Sequence, residues 1–166
     1  VPGNWTMQDV GDLPHYTNVQ MPFAGPPPAL PERVPTGIYR RSVRVPAGWL
    51  AERSENRVVL HVGGAESVHA VWVNGGLAGY GTDSKLASEY DVTSLLHVGE
   101  NEIAIVVVRY SAQSYVEDQD QWWMAGLHRS ISLERRPSTH LADVRADASL
   151  RLSDGFGILD AVIETA

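Results

Sequence analysis

The 166-residue sequence has no cysteine, a single lysine and no long apolar run. Without cysteine the chain cannot form a disulfide scaffold, a thiolate zinc site or a cysteine nucleophile. Lys85 and the arginines supply 13 cations against 20 acidic residues, which gives a net charge of −7. Non-specific nucleic-acid binding needs clustered cations, and a membrane helix needs about 20 consecutive apolar residues. We therefore expect neither nucleic acid nor a membrane as a partner.

Apolar residues make up 43% of the chain, which is enough to build a folded core. A length of 166 residues gives room for one domain and part of the next. The sequence begins at Val1-Pro2, without an initiator methionine or a signal segment. These features predict a piece of a longer protein, and together with the absence of cysteine they favour a cytoplasmic location.

The apolar pattern along the middle of the chain is typical of short β-strands. Strands are predicted over residues 38–45, 57–62, 68–73, 103–108 and 130–134. Asn74, Gly75 and Gly76 predict a tight hairpin turn after the third of these strands, because these residue types tolerate positive φ.

Residues 103–108 are apolar at every position, which predicts a central strand covered on both faces. One helical turn is predicted over residues 91–96, with Asp91 or Thr93 as its cap. Helices long enough to connect parallel strands are missing from the pattern. Many short strands separated by glycine and proline therefore predict an all-β fold, a β-sandwich of the jelly-roll type.

The two ends of the chain differ from its middle. Residues 1–37 hold most of the 10 prolines, which predicts a stiff arm that either lies on the sandwich or reaches toward another domain. Residues 135–138 are interpreted as a domain boundary. Two further strands are predicted over residues 144–152 and 157–165, joined by a short turn. Because a lone hairpin is marginally stable in water, residues 138–166 are interpreted as the first hairpin of a second, truncated β domain.

Motifs of common enzyme chemistry are absent from the sequence. Its 6 histidines show neither i,i+2 nor i,i+4 spacing, so a metal site built from them would depend on the tertiary fold. There is no Gly-x-Ser-x-Gly nucleophile elbow and no phosphate-binding glycine loop.

The most unusual segment is residues 115–126, which we call the acidic loop. It places three carboxylates beside two tryptophans: Glu117, Asp118, Asp120, Trp122 and Trp123. Carboxylates accept paired hydrogen bonds from sugar hydroxyls, and indole faces pack on sugar C–H patches. A hard cation could instead bind the carboxylate oxygens. A solvated acidic loop beside two core tryptophans is the third interpretation, and the residue types leave all three open. The two carboxyl groups of a glycosidase usually come from separate segments, so this single loop is not the expected catalytic pair.

Residues 79–96 form a second dense segment. Gly79 and Gly81 flank Tyr80, which predicts a tight bend that presents an aromatic ring. The polar pairs Asp83-Ser84 and Ser88-Glu89 are expected to satisfy backbone donors around it. We interpret this segment as the scaffold of a long loop rather than as a site.

Several segments carry a resemblance in the same order along the chain. They are Val1-Pro2-Gly3-Asn4-Trp5, Tyr16-Thr17-Asn18-Val19, Pro35-Thr36-Gly37-Ile38-Tyr39, Gly79-Tyr80-Gly81, Gly99-Glu100-Asn101 and Glu117-Asp118-Gln119-Asp120-Gln121-Trp122. Together they resemble the N-terminal sugar-binding domain of glycoside hydrolase family 2, and above all its large β-galactosidases. The last of these segments is the most specific, and the resemblance extends over essentially the whole chain.

The resemblance implies a jelly-roll sugar-binding domain over residues 1–137 and the start of an immunoglobulin-like domain over residues 138–166. It implies a retaining, homo-oligomeric β-galactosidase as the parent, acting on terminal β-galactosides. The catalytic carboxylates and the Mg²⁺ ligands would lie in a later barrel domain, so no residue of this chain is expected to be catalytic. Asp120 would contact the galactosyl hydroxyls and ligate a sodium ion (Na⁺) at the galactose subsite of that barrel.

One position departs from the family pattern. In the proline-rich arm of the family a polar residue reaches the sugar, and that position falls on Pro26 here, whose side chain offers no hydrogen bond. A lost sugar contact costs roughly 1–3 kcal/mol when it leaves a buried partner unpaired. Pro26 therefore indicates either a local slip of the alignment or an altered substrate preference, which concerns lactose more than β-galactosides in general.

Three alternatives to a β-galactosidase fragment stay open. The first is a fragment of a β-glucuronidase or β-mannosidase of the same family, although an acid in the subsite would repel a glucuronate carboxylate. The second is an autonomous carbohydrate-binding module. The third is a purely structural sandwich that supports oligomerisation.

Overall fold

The computed structural model describes residues 1–17, 21–51 and 55–166, so Asn18 and Val19 of the resemblance lie outside the described residues. The described strands are β1 Gly3–Asn4, β2 His15–Tyr16, β3 Thr36–Val45, β4 Asn56–Val62, β5 Val68–Val73, β6 Gly76–Gly81, β7 Ser88–Asp91, β8 Gly99–Val108, β9 Trp122–Trp123, β10 Gly126–Leu127, β11 Ile131–Pro137, β12 Leu141–Arg151 and β13 Phe156–Thr165. Two single-turn helices, α1 Ala47–Leu50 and α2 Gln113–Val116, and a 3₁₀ turn at Trp5–Met7 complete the described elements. The sequence pattern did not predict these three short elements. No helix in the described ranges is long and apolar enough to cross a membrane.

Two antiparallel sheets enclose the hydrophobic core. One has the strand order β3-β8-β5-β6 and the other the order β11-β4-β7. Alternate residues of both sheets meet in one buried cluster that includes Val58, Leu60, Val62, Val71, Val73, Ile103, Ile105 and Val107. The predicted all-β sandwich of the jelly-roll type is therefore confirmed, with apolar burial as its main stabilising contribution.

The predicted strands agree with the structure, apart from details at their ends. Asn74 and Gly75 have φ of 50° and 82°, which is the paired positive φ of a two-residue hairpin turn. Strand β8 is central, as predicted, but it is fully buried on one face only. Ile105 and Val107 face the core, whereas Ala104 and Val106 are half-buried on the outer face, which the described residues do not cover with a second layer.

Two local predictions were wrong. In the segment 91–96, Asp91 ends strand β7 and residues 93–95 form a hydrogen-bonded turn rather than a helical one. The Asp91 carboxylate still accepts a hydrogen bond from the Thr93 amide at 3.0 Å, as a cap would. Gly79, Tyr80 and Gly81 lie in strand β6 and make no bend. A Cβ at Gly79 would lie 2.6 Å from the Tyr90 ring, so close packing rather than a turn requires this glycine. Tyr80 is 72% exposed, so the predicted presentation of its ring is confirmed.

The proline-rich arm lies on the sandwich, which is the first of the two predicted alternatives. Its short strands β1 and β2 pair with β10 and β9. Phe23 is buried among the rings of Tyr110, Tyr115 and Trp123, at centroid distances of 5.0, 5.1 and 6.1 Å. The arm is therefore fixed next to the acidic loop.

Strands β12 and β13 form the predicted hairpin, and every residue in it is exposed. Their register sorts the side chains into two unlike faces. One face is entirely apolar and consists of Val144, Ala146, Ala148, Leu150, Gly157, Leu159, Ala161 and Ile163. The other carries most of the hairpin's charges. Such alternation is typical of a sheet that buries one side.

Candidate functional site

The three carboxylates of the acidic loop have two different environments. Glu117 points inward and is half-buried, and it accepts hydrogen bonds from the Ser84 amide at 2.7 Å and the Ser84 hydroxyl at 2.6 Å. Both of its oxygens are thus used to anchor the loop on the segment after β6. Glu117 has a structural role here, so two carboxylates of the loop rather than three remain as candidates for binding a ligand.

Asp118 and Asp120 point toward the N-terminal arm. The Thr17 hydroxyl donates a hydrogen bond to Asp118 Oδ1 at 2.6 Å, and the Tyr16 hydroxyl donates one to Asp120 Oδ1. Thr17 is 4% exposed, whereas Asp120 is exposed. The hydrogen bond to Asp120 and the negative charge beside it raise the pKa of the Tyr16 phenol above its ordinary value, which favours its neutral, donating form.

The two tryptophans of the loop also separate. Trp123 is 6% exposed and belongs to the aromatic cluster around Phe23, whereas Trp122 is 57% exposed. In the antiparallel pairing of β2 with β9, Tyr16 is opposite Trp122, and their ring centroids lie 5.4 Å apart. An exposed indole therefore stands beside two carboxylates, which is the combination that suits a sugar.

Charged groups beneath the loop hold it in place. Glu66 accepts hydrogen bonds from Lys85 Nζ at 2.8 Å and from the Met124 amide at 3.0 Å. Burial raises the pKa of the Glu66 carboxyl, and the neighbouring Lys85 partly offsets that rise. Glu66 thus joins the loop to the sandwich, and Lys85 compensates its charge.

A buried ion pair fixes the arm that carries Tyr16. Arg109, at the end of β8, donates to the Asp12 carboxylate and to the Leu13 carbonyl, the latter at 2.7 Å. The indole nitrogen of Trp5 donates to the other Asp12 oxygen at 2.6 Å. Hydrogen bonds from Arg109 and from Trp5 therefore fix the position of the arm just before it reaches the acidic loop.

Two hollows are relevant to ligand binding. An open one of about 440 Å³ is lined by Thr17, Asp118, Gln119 and Asp120. A larger one, of about 760 Å³, lies between the edge strands β3 and β11 and is lined mainly by apolar and basic side chains, without a carboxylate. The smaller hollow has the acidic, oxygen-rich lining that the sequence predicted for the site.

The donor set at Asp120 is compatible with sodium but does not complete a site. Carboxylate oxygens are the hard donors that Na⁺ prefers, and Asp120 keeps acceptor capacity beyond its one bond to Tyr16. Within residues 1–17, 21–51 and 55–166, no group of three or more His, Asp or Glu side chains is placed to hold a metal ion. Any sodium at Asp120 would need oxygen ligands in addition to acidic side chains, such as carbonyl groups or water.

The remaining predicted residues lie around this centre. Pro26 is exposed, and the Tyr115 hydroxyl donates to the carbonyls of Gly25 and Ala29 on either side of it, at 3.3 and 2.6 Å. The arm turn that holds Pro26 is therefore tied to the start of the acidic loop. The side chain of Pro26 still supplies no hydrogen-bonding group, as the sequence indicated.

The sequence analysis gave no site role to Tyr16, Thr17, Asp12 and Arg109, although Tyr16 and Thr17 belong to a segment that carries the resemblance. Tyr16 and Thr17 lie in or beside a strand of two residues, which is too short to show a period. Their partners are 104 and 101 residues away in the chain. For Arg109 a signal was available, because an arginine directly after an apolar strand is often buried, and a buried arginine usually has a carboxylate partner. The sequence does not show which carboxylate that is.

Comparison with known sequences finds relatives over most or all of the chain. Residues 1–137 match the family model described as glycosyl hydrolases family 2, sugar binding domain. A curated β-galactosidase of Aeromonas hydrophila is 40% identical over 100% of this chain and 17% of its own length. One of Leuconostoc mesenteroides is 43% identical over 90% of this chain and 14% of its own length. The chain thus spans only about a sixth of the length of these curated relatives.

Solved structures of other glycosidases resemble this fold. The crystal structure of an FMN-binding β-glucuronidase from Faecalibacterium prausnitzii L2-6 superposes with a TM-score of 0.68 at 23% identity, over 80% of this chain and 21% of that one. At this identity the likeness concerns the fold alone. The match of the family model, which covers most of the chain, establishes the family. The chain belongs to glycosyl hydrolase family 2, through the sugar-binding domain of that family.

Proposed function

We propose that the chain is the sugar-binding first domain of a β-galactosidase that hydrolyses terminal β-D-galactosides with retention of configuration. The observation that carries the proposal is the exposed carboxylate of Asp120, which lines an open hollow together with Asp118. Tyr16 contacts both this carboxylate and the exposed ring of Trp122. The names of the curated relatives favour galactose as the sugar. The two catalytic carboxylates and the Mg²⁺ ligands belong to a barrel domain outside this chain, so the chain alone is inactive.

Each group near the hollow has a definable task toward a galactosyl unit. Asp120 accepts hydrogen bonds from sugar hydroxyls, because an ionised carboxylate has about four acceptor sites and Tyr16 takes one of them. Trp122 offers an apolar ring to the C–H side of a sugar. Asp120 would also hold Na⁺, which supplies positive charge for orienting hydroxyl oxygens. The hydrogen bonds of Glu117 and Glu66 keep this surface in place.

The apolar face of the β12–β13 hairpin supports the proposed second domain. Eight aligned apolar residues on one face of a two-stranded sheet are stable only when another layer covers them. We assign residues 138–166 to the start of an immunoglobulin-like sandwich, in which this face forms half of the core. The homo-oligomeric state and the cytoplasmic location of the parent stay predictions.

A second candidate is an autonomous carbohydrate-binding module, which the exposed Trp122 favours. Binding modules present aromatic rings on a ready-made surface, and Trp122 with Tyr16 forms such a pair. Calorimetric titration of the 166-residue chain with galactose discriminates the two functions. Affinity in the millimolar range or better favours a module, whereas a subsite that depends on its barrel shows no binding.

The test of the main proposal uses the full-length protein and nitrophenyl β-galactoside. Asp120→Asn preserves shape but weakens hydroxyl acceptance, and we expect kcat/KM to fall by at least tenfold, together with loss of the response to sodium. Glu100→Gln is the matched control, because Glu100 is exposed and lies at the opposite end of β8 from the acidic loop. An active parent in which both variants behave like wild type contradicts the assignment of Asp120. An inactive parent contradicts the substrate.

A further inference from the structure

Two consecutive residues of the arm hold two carboxylates of the acidic loop. Tyr16 donates to Asp120, and Thr17 donates to Asp118 at 2.6 Å. Both contacts join segments about a hundred residues apart in the chain. The orientation of the loop carboxylates is therefore set by the arm as well as by the loop itself.

Tyr16 is restrained more tightly than its exposure suggests. Tyr16 is 40% exposed, yet its backbone pairs with that of Trp122 in the antiparallel pair β2–β9. The ring centroids of Tyr16 and Trp122 lie 5.4 Å apart. A phenol fixed by its backbone and its ring directs its hydroxyl to one place. That place is Asp120 Oδ1.

We propose that Tyr16 is a positioning residue for Asp120 and Trp122, which fixes the orientation in which both meet the sugar. This inference rests on the proposed function of Asp120. The Tyr16 hydroxyl engages one oxygen of the carboxylate and directs the other toward the hollow. Its ring supports Trp122 from the side of the arm, so one residue aligns the polar and the apolar contact of the subsite.

Thr17 has the same relation to Asp118 but in a different environment. It is buried, so its hydrogen bond is shielded from water, whereas Tyr16 acts at the surface. Removal of the Tyr16 hydroxyl should therefore leave the fold of the arm intact and release the Asp120 carboxylate. This difference makes Tyr16 the better position for a test of orientation.

The first arm of the test measures the contact itself, in the 166-residue chain. With ¹³C-labelled tyrosine, NMR at constant pH follows the ring signals of all 6 tyrosines. Asp120→Ala, which removes the acceptor, should shift the ring signals of Tyr16 and leave those of the other tyrosines in place. Unchanged Tyr16 signals overturn the contact, whatever the parent enzyme does.

The second arm uses the full-length protein and compares Tyr16→Phe with Tyr80→Phe, a change at a ring that is 72% exposed in β6. Tyr16→Phe keeps the ring contact with Trp122 but frees Asp120. We expect KM for nitrophenyl β-galactoside and the sodium concentration for half-activation to rise about three- to tenfold, with Tm unchanged. Tyr80→Phe should alter neither. Tyr16→Leu, which also removes the ring, should raise KM further.

The outcomes separate this inference from the proposed function. A parent active on galactosides whose KM and sodium response are unchanged in Tyr16→Phe overturns the positioning role and leaves the function standing. A parent inactive on galactosides overturns the function, and with it the link from Tyr16 to a sugar. In that case the NMR ring signals of Tyr16 still decide whether Tyr16 contacts Asp120.

Discussion

Replacing Asp12 by alanine should destabilise the chain strongly, because it leaves the charge of Arg109 buried without its carboxylate. The Arg109 side chain is 5% exposed and that of Asp12 is 20% exposed. Loss of one partner of a buried ion pair costs about 3–5 kcal/mol. The indole N–H of Trp5 loses its acceptor in the same variant, which adds to the cost.

The opposite change should be milder. Arg109→Met leaves Asp12 partly solvated and still bonded to Trp5 at 2.6 Å, so its charge keeps a partner. The double variant removes both charges, and a buried pair replaced by apolar groups can be nearly neutral. We therefore expect the double variant to cost clearly less than the sum of the two single changes.

Urea and thermal unfolding of the 166-residue chain measure these costs. For a domain of this size each kcal/mol lowers Tm by about 2–4 °C, so Asp12→Ala should lower it by roughly 6–20 °C. Asp160→Ala, on the charged and exposed face of the hairpin, is the control and should stay within about 0.5 kcal/mol. An Asp12→Ala variant within about 1 kcal/mol of wild type, or strictly additive costs, would refute the reasoning.

Two further predictions concern charge and packing. Arg136 lowers the pKa of Glu89 from 4.5 to about 2, so the pair stabilises the fold fully above pH 4.5 and loses its effect as the pH falls toward 2. Because the pair is partly exposed, Glu89→Gln should cost only about 0.5–1 kcal/mol at pH 7 and nothing near pH 2. If urea titrations show that Glu89→Gln lowers the free energy of unfolding by the same amount at pH 7 and near pH 2, the predicted pH dependence is wrong. Gly79→Ala should cost about 1–3 kcal/mol, because the new Cβ would meet the Tyr90 ring, whereas Gly157→Ala, in open space, should be near neutral in the same titrations.

The sequence was informative wherever the structure depends on local pattern. The alternation over residues 38–45 predicted β3, and the Asn74-Gly75 pair predicted the hairpin turn after β5, because each signal acts within a few residues. The bend predicted around Tyr80 was wrong for the converse reason. Gly79 is required by a ring that packs against it from β7, and no local pattern shows such a contact.

The candidate site was predictable in composition but not in geometry. The sequence identified the acidic loop and its tryptophans, yet it could not show that Glu117 is used internally. That assignment depends on Ser84, which lies 33 residues away. The different exposure of Trp122 and Trp123 follows from strand β9, in which neighbouring side chains point to opposite faces. A two-residue strand leaves no period from which to predict it.

The most direct test of the central claim asks whether Asp120 binds sugar hydroxyls. It compares kcat/KM of the full-length protein and its Asp120→Asn variant on nitrophenyl β-galactosides that each lack one hydroxyl. A hydroxyl that Asp120 accepts should be worth about 1–3 kcal/mol to the wild type, or roughly 5- to 150-fold, and much less to the variant. We predict such coupling for at least one hydroxyl. If every deoxy substrate loses the same factor in both proteins, Asp120 does not contact the sugar and the proposed subsite is wrong.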